Sequence, residues 1–119
     1  MSSDFHDCLK RQLVHVAIGE FKPGRFAEAQ QLYEQAVSTY HQGFKGAYLL
    51  QEPGTDRGIS VIFWDSVDEM DMNQAQEQHR AILRKMTPLF IDLPKIAIYE
   101  VVSEIAPVPK EEPLLVAQY

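Results

Sequence analysis

From Leu13 to Phe21 the side chains alternate, with Val14, Val16 and Ile18 on one side and Leu13, His15 and Ala17 on the other. A period of two predicts a strand. Lys22-Pro23-Gly24-Arg25 breaks it, because proline cannot donate to a ladder and glycine permits the turn. Phe26, Ala29, Leu32, Tyr33, Ala36, Val37 and Tyr40 then recur at three- and four-residue steps, one stripe of a helix, with Gly43 as its expected C′ residue. Phe44 to Gln51 and Ile59 to Trp64 are β-prone runs separated by the turn formers Pro53 to Gly58, an antiparallel hairpin. Ser66-Val67-Asp68-Glu69 matches a capping box and opens a second helix, whose apolar positions are Met70, Ala75, Ile82, Leu83 and Met86. Pro88 and Pro94 bracket its end, and Lys95 to Ile105 alternates as a fourth strand.

The order β-α-β-β-α-β predicts an α+β, ferredoxin-like fold: a four-stranded antiparallel sheet with two helices on one face. Residues 1–11, mixed and without period, read as a flexible arm, 12–105 as the domain, and 106–119, with Pro107, Pro109 and Pro113, as an extended tail. That tail, ending Leu114-Leu115-Val116-Ala117, either stays disordered or lies across a neighbouring subunit.

Two helices cover one face of such a sheet, so a monomer would carry polar residues at every second strand position. These strands do not. Ile59, Val61 and Phe63 oppose Ser60, Ile62 and Trp64, and Ile96, Ile98 and Val102 oppose Ala97, Tyr99 and Val101. An apolar face of that extent predicts a face-to-face homodimer.

At 119 residues one core suffices without staples, and the lone cysteine, Cys8, forbids an intrachain disulfide. Eleven Lys and Arg against seventeen Asp and Glu leave a net charge of −6, which argues against nucleic acid as a partner. No run approaches the ~20 apolar residues of a membrane span, so a cytoplasmic protein without membrane contact is expected.

With those elements placed, the chain resembles the antibiotic biosynthesis monooxygenase (ABM) domain family, within the dimeric α/β-barrel superfamily. The likeness rests on Val14-His15-Val16-Ala17 leading to Lys22-Pro23-Gly24, on Gly43-Phe44-Lys45-Gly46, on Ile59-Ser60-Val61-Ile62-Phe63-Trp64-Asp65-Ser66 and on Tyr99-Glu100-Val101. It implies a dimeric α/β barrel. The family's roles are mixed: cofactor-free oxygenases of polycyclic phenols, quinol oxygenases, haem-degrading enzymes and members with no established activity.

Oxygenation without a cofactor needs an electron-rich phenol or hydroquinone, held away from water and deprotonated so that it can pass an electron to oxygen. The protein then supplies a base and an apolar, aromatic-lined pocket. His15 and His79 are the candidate bases, and Trp64, Tyr33, Tyr48 and Tyr99 the candidate pocket residues. Against these stand plainer readings: a hydrogen-bonded strand histidine, a solvent-facing His79, and aromatic residues that are simply core. The acids Asp65, Asp68, Glu69 and Asp71 are explained by helix-dipole compensation rather than by a metal, and no metal or cofactor is expected. The haem-degrading branch uses a first-strand asparagine where this chain has Ala17, and a second-helix histidine nearer Trp64 than His79 is, at about Gln74. Haem chemistry is therefore a minor reading. Three functions remain: a cofactor-independent monooxygenase of a small planar phenol or quinol, a non-catalytic dimer binding a small aromatic ligand, and a structural dimer. A cavity holding a histidine favours the first, one lined by aromatic and aliphatic residues alone the second, and a filled core the third.

Overall fold

The structure, a computed structural model, describes residues 12–108. Strand β1 (Leu13–Glu20) leads into helix α1 (Phe26–Val37), followed by the hairpin of β2 (Phe44–Gln51) and β3 (Arg57–Trp64). Helices α2 (Val67–Gln74) and α3 (Glu77–Met86), a short 3-10 turn (Thr87–Leu89) and strand β4 (Lys95–Glu100) complete the domain. The sheet order is β2-β3-β1-β4 with every neighbouring pair antiparallel, the ferredoxin-like arrangement.

Register divides the strands into two faces. His15 pairs with Ile62 and Ile98, and Ala17 with Ser60 and Ile96; these positions face the helices. Val16 pairs with Val61 and Ala97, so the other parity, with Ile18, Tyr48, Leu50, Phe63 and Tyr99, forms the outer face. On that outer face Ile18, Tyr48, Leu50 and Tyr99 are all exposed. Two core clusters lie between sheet and helices. Phe21, Phe26, Ala29, Met86 and Leu89 pack at one end, and Tyr40, Ile62, Trp64 and Met70 at the other.

Four boundaries differ from the sequence reading. Helix α1 stops at Val37, so Gly43 is not its C′ residue; Gly43 adopts φ 87° beside Glu69, where an added Cβ would lie 2.6 Å from the glutamate side chain. Strand β3 begins two residues earlier than its apolar run, at Arg57. The second helix is broken at Ala75 and Gln76, where Gln76 turns extended (φ −69°, ψ 138°). Strand β4 ends at Glu100, and residues 101–108 carry no regular structure, with Val102 and Ile105 exposed. The arm of residues 1–11, Cys8 and the tail beyond Val108 lie outside the described residues. Among the described residues no helix is long and apolar enough to cross a membrane.

Candidate functional site

A cavity of about 440 Å³ lies between the sheet and its helices, within the range of small-molecule sites. Its walls come from β1 (His15, Ala17), α1 (Tyr33, Ala36), β3 (Ser60, Ile62) and α3 (His79, Leu83), with Gln74, Phe90, Leu93 and Ile96 among the remaining residues. Small residues on the sheet side, Ala17, Gly19, Gly58 and Ser60, leave the space that larger side chains would fill. No Asp, Glu, Lys or Arg contributes to the wall among the described residues.

The two histidines meet here. His15 reaches the cavity because it shares the parity of Leu13 and Ala17, as the alternation predicts. His79 arrives from α3 and is 2 % exposed, which corrects the solvent-facing reading. Its Nδ1 lies 3.3 Å from the Ala36 carbonyl, and since a carbonyl can only accept, the proton is assigned to Nδ1. That carbonyl is in the last turn of α1, where helix carbonyls lack intrahelical partners, and it also accepts from the Thr39 hydroxyl at 2.7 Å. Nε2 is then the acceptor, and the Tyr40 hydroxyl donates to it at 3.3 Å.

Both imidazoles are held below their ordinary pKa of 6.5, first by burial. The Ala36 carbonyl opposes this at His79, and the nearness of its own backbone opposes it at His15. The charge of His79 lowers His15 further, which places the two rings within electrostatic reach of each other. Near neutral pH both are therefore uncharged bases. Burial likewise raises the Tyr40 phenol well above its ordinary value, with the Tyr33 hydroxyl adding to the rise and a hydrogen bond from Gln74 opposing it. Tyr40 thus stays protonated and acts as a donor.

Elsewhere on the wall the polar groups are already engaged. Ser60 donates to the Tyr33 oxygen at 3.2 Å, and Tyr33 donates to the Tyr48 carbonyl at 3.0 Å, tying α1 to the hairpin. Thr87 donates to the Leu83 carbonyl at 2.9 Å. Only two buried side-chain polar atoms lack a partner among the described residues, His15 Nδ1 and Trp64 Nε1. Neither atom has accessible surface, so His15 meets the cavity through the rest of its ring.

Of the six residues proposed from sequence, the cavity gathers His15, His79 and Tyr33. Trp64 is fully buried in the core behind Tyr40, ring centroids 4.7 Å apart, and does not line the cavity. Tyr48 and Tyr99 belong to the outer face, the parity opposite to His15, and take no part. Sequence reasoning missed Tyr40 and Gln74 as wall residues and Asn73 as their support. Asn73 accepts from the His41 amide at 2.8 Å and donates to the Gln42 carbonyl at 3.0 Å, fixing the segment that follows Tyr40. Tyr40 stands seven residues beyond Tyr33 on one stripe, the signal that pointed to it.

No protein-family model and no curated protein sequence matches the chain. Solved structures do. SnoaB of Streptomyces nogalater, a cofactor-independent oxygenase, superposes with a TM-score of 0.72 at 15 % identity over 80 % of this chain and 97 % of its own. A protein named antibiotic biosynthesis monooxygenase gives a TM-score of 0.66 at 15 % identity, covering 76 % and 99 % of the two chains. A conserved protein of Methanosarcina mazei Go1 gives 0.70 at 15 % identity, covering 79 % and 96 %. At such identities the likeness is one of fold, and the resemblance read from the sequence holds at that level.

Proposed function

We propose that this protein is a cofactor-independent monooxygenase acting on a small phenolic or quinol compound. The observation that carries the reading is the pair of buried, uncharged histidines in one largely apolar cavity. A phenol entering it loses hydration, and its hydroxyl proton passes to a neutral imidazole. The phenolate then gives one electron to dioxygen; the resulting radical pair combines at ring carbon, and loss of water from the hydroperoxide leaves a quinone. One oxygen atom stays on the ring and the other departs as water. His15, the less buried of the two in the cavity wall, is the first candidate for the base; His79, with Nε2 accepting from Tyr40, is the second. The Tyr40 hydroxyl, donating to His79 Nε2, orients that ring at the cavity wall.

The fold shared with a cofactor-independent oxygenase supports the reading without extending to substrate. Oxygen uptake on a panel of anthrone, 1-naphthol and naphthohydroquinone tests it. We expect consumption with at least one member and a fall of about 10² or more in kcat for His15→Ala or His79→Ala, the usual worth of a general base. Equal rates in wild type and both variants sink the assignment. Ligand binding without oxygen uptake leaves the non-catalytic binding reading in its place. The haem reading loses its first-strand partner, since Ala17 lines the wall there with a methyl group.

We further propose that the active form is a homodimer joined through the outer sheet face, whose exposed Ile18, Tyr48, Leu50 and Tyr99 support it.

A further inference from the structure

The cavity wall is divided along its length. Register puts His15 level with Ile62, toward the Trp64 and Tyr40 cluster, and Gly19 level with Gly58, toward the Phe21 and Phe26 cluster. His15, Tyr40, Gln74 and His79 therefore crowd one end. Tyr33 and Ser60 form a belt at mid-length whose hydrogen bonds are spent on each other and on Tyr48.

At the other end the wall is Phe21, Met86, Phe90 and Pro94. Phe21 and Phe90 stack with ring centroids 4.4 Å apart. Gly19 makes that end possible, since a Cβ there would come within 2.9 Å of the Phe90 ring. Leu93 and Ile96, 77 % and 60 % exposed, border the cavity where it opens to solvent, so this wall stays apolar to its rim.

We propose that the ligand is an uncharged phenol or quinol bearing an apolar substituent, with its hydroxyl at the His15 and Tyr40 end and the substituent lying along Phe90 toward Leu93 and Ile96. This rests on the reading that the cavity holds a phenolic compound, and it adds charge, shape and orientation. His15, Tyr40, Gln74 and His79 gather the uncharged polar side chains of the wall at that one end, where a ligand hydroxyl is best received. The engaged Ser60, Tyr33 and Thr87 offer no second donor to draw one toward the apolar end. With no charged side chain on the described wall, a carboxylate or phosphate on the ligand would be desolvated without compensation. An alkyl chain gains from every methylene buried against the apolar wall.

The test is binding without oxygen, measured by calorimetry on the full chain under argon, so that it does not depend on turnover. Four probes are used in two pairs: 4-hexylphenol against phenol, and methyl 4-hydroxybenzoate against 4-hydroxybenzoate. We expect 4-hexylphenol to bind at least thirty-fold tighter than phenol, and the ester at least ten-fold tighter than the acid at pH 7.5. Ile96→Asp and Leu93→Asp, both at exposed positions, should each cut the hexylphenol-to-phenol ratio at least ten-fold.

Equal affinity of the two phenols, tight binding of the free acid, or an alkyl advantage untouched by both aspartates overturns the proposal. The two readings fail separately. Oxygen uptake without the alkyl preference leaves the oxygenase standing and removes this inference, while the alkyl preference without oxygen uptake removes only the catalysis.

Discussion

A histidine whose protonation is disfavoured by folding makes stability depend on pH with a definite sign. The unfolded chain takes up protons at His15 and His79 near their ordinary value of 6.5, whereas the folded chain resists until a lower pH because both rings are buried. Between those limits the unfolded state binds more protons, so stability is lost as pH falls below 6.5 until the folded pKa is passed. Denaturant midpoints at pH 7.5, 6.0 and 5.0 should decline, and the decline should shrink in the double variant His15→Gln, His79→Gln. The same residues set a kinetic expectation. Because the charge of His79 lowers His15, His79→Gln should move the acidic limb of the oxygen-uptake profile to higher pH if His15 is the base. A limb that disappears together with the activity assigns the base to His79 instead, and one that stays in place shows that the charge of His79 does not act on the base. For His15 the sequence disclosed which strand neighbours share its side but not which side meets the helices, and for His79 it disclosed neither. Strand parity tied His15 to Leu13 and Ala17 with no further information. His79 is flanked by Gln78 and Arg80, and although it shares a stripe with Ile82, Leu83 and Met86, a helix read unbroken from Ser66 sets that stripe against the wrong phase of Met70 and Ala75.

The start of α3 at Glu77 is where sequence reasoning at the level of elements fell short. Neither proline nor glycine marks Ala75 and Gln76, so a single helix from Ser66 was the natural expectation, and the phase of its buried stripe drifted across the break. The beginning of α2 was legible, because a cap is local chemistry. Ser66 accepts from the Glu69 amide at 3.2 Å, although the Glu69 carboxylate meets the serine hydroxyl rather than its backbone amide. Ser66→Ala should therefore cost about 1 kcal/mol in chemical denaturation, the usual worth of a cap. A loss near zero would mean that packing of Met70 and Asn73, both buried, holds α2 without it. Strands followed the same logic: β1 and β2 were legible to within a residue because alternation or a bulky apolar run spans them whole. Strand β4 was overextended because Val101, Val102 and Ile105 continue the apolar pattern beyond the last ladder pair at Glu100. Pattern reports what a segment could bury, and the ladder depends on whether β1 still runs alongside it. Among the described residues the ladder closes at Leu13 and Glu100, with one further bond from the Val101 amide to the Gln12 carbonyl at 2.9 Å.

Why those positions are apolar is answered only by the molecule as a whole. Sheet parity assigns Val16, Ile18, Tyr48, Leu50, Ile59, Val61, Phe63 and Tyr99 to a face that no helix among the described residues covers. Burying such side chains gains about 1.5–3 kcal/mol each when complete, and several here are already half-buried. Taken over two protomers the gain still exceeds 10 kcal/mol, comparable with or above the roughly 4–15 kcal/mol cost of association. The balance favours a dimer over a monomer with a greasy sheet in water. It also separates the two faces by task, since the cavity opens on the helix side and the proposed contact lies on the other. Sedimentation at micromolar concentration should give a dimer for the wild type. A lysine at the 51 % exposed Ile18 or the 48 % exposed Leu50 places a charge in the centre of that contact, where desolvation without a partner opposes association. Ile18→Lys and Leu50→Lys should each shift the sedimenting species toward monomer, while 4-hexylphenol binding stays within a few-fold of wild type. If the wild type itself sediments as a monomer, the outer face has another purpose and the barrel is lost. Should the lysine variants remain dimeric, the contact lies elsewhere, with the exposed apolar stretch after β4, Val102 and Ile105, as the next surface to charge.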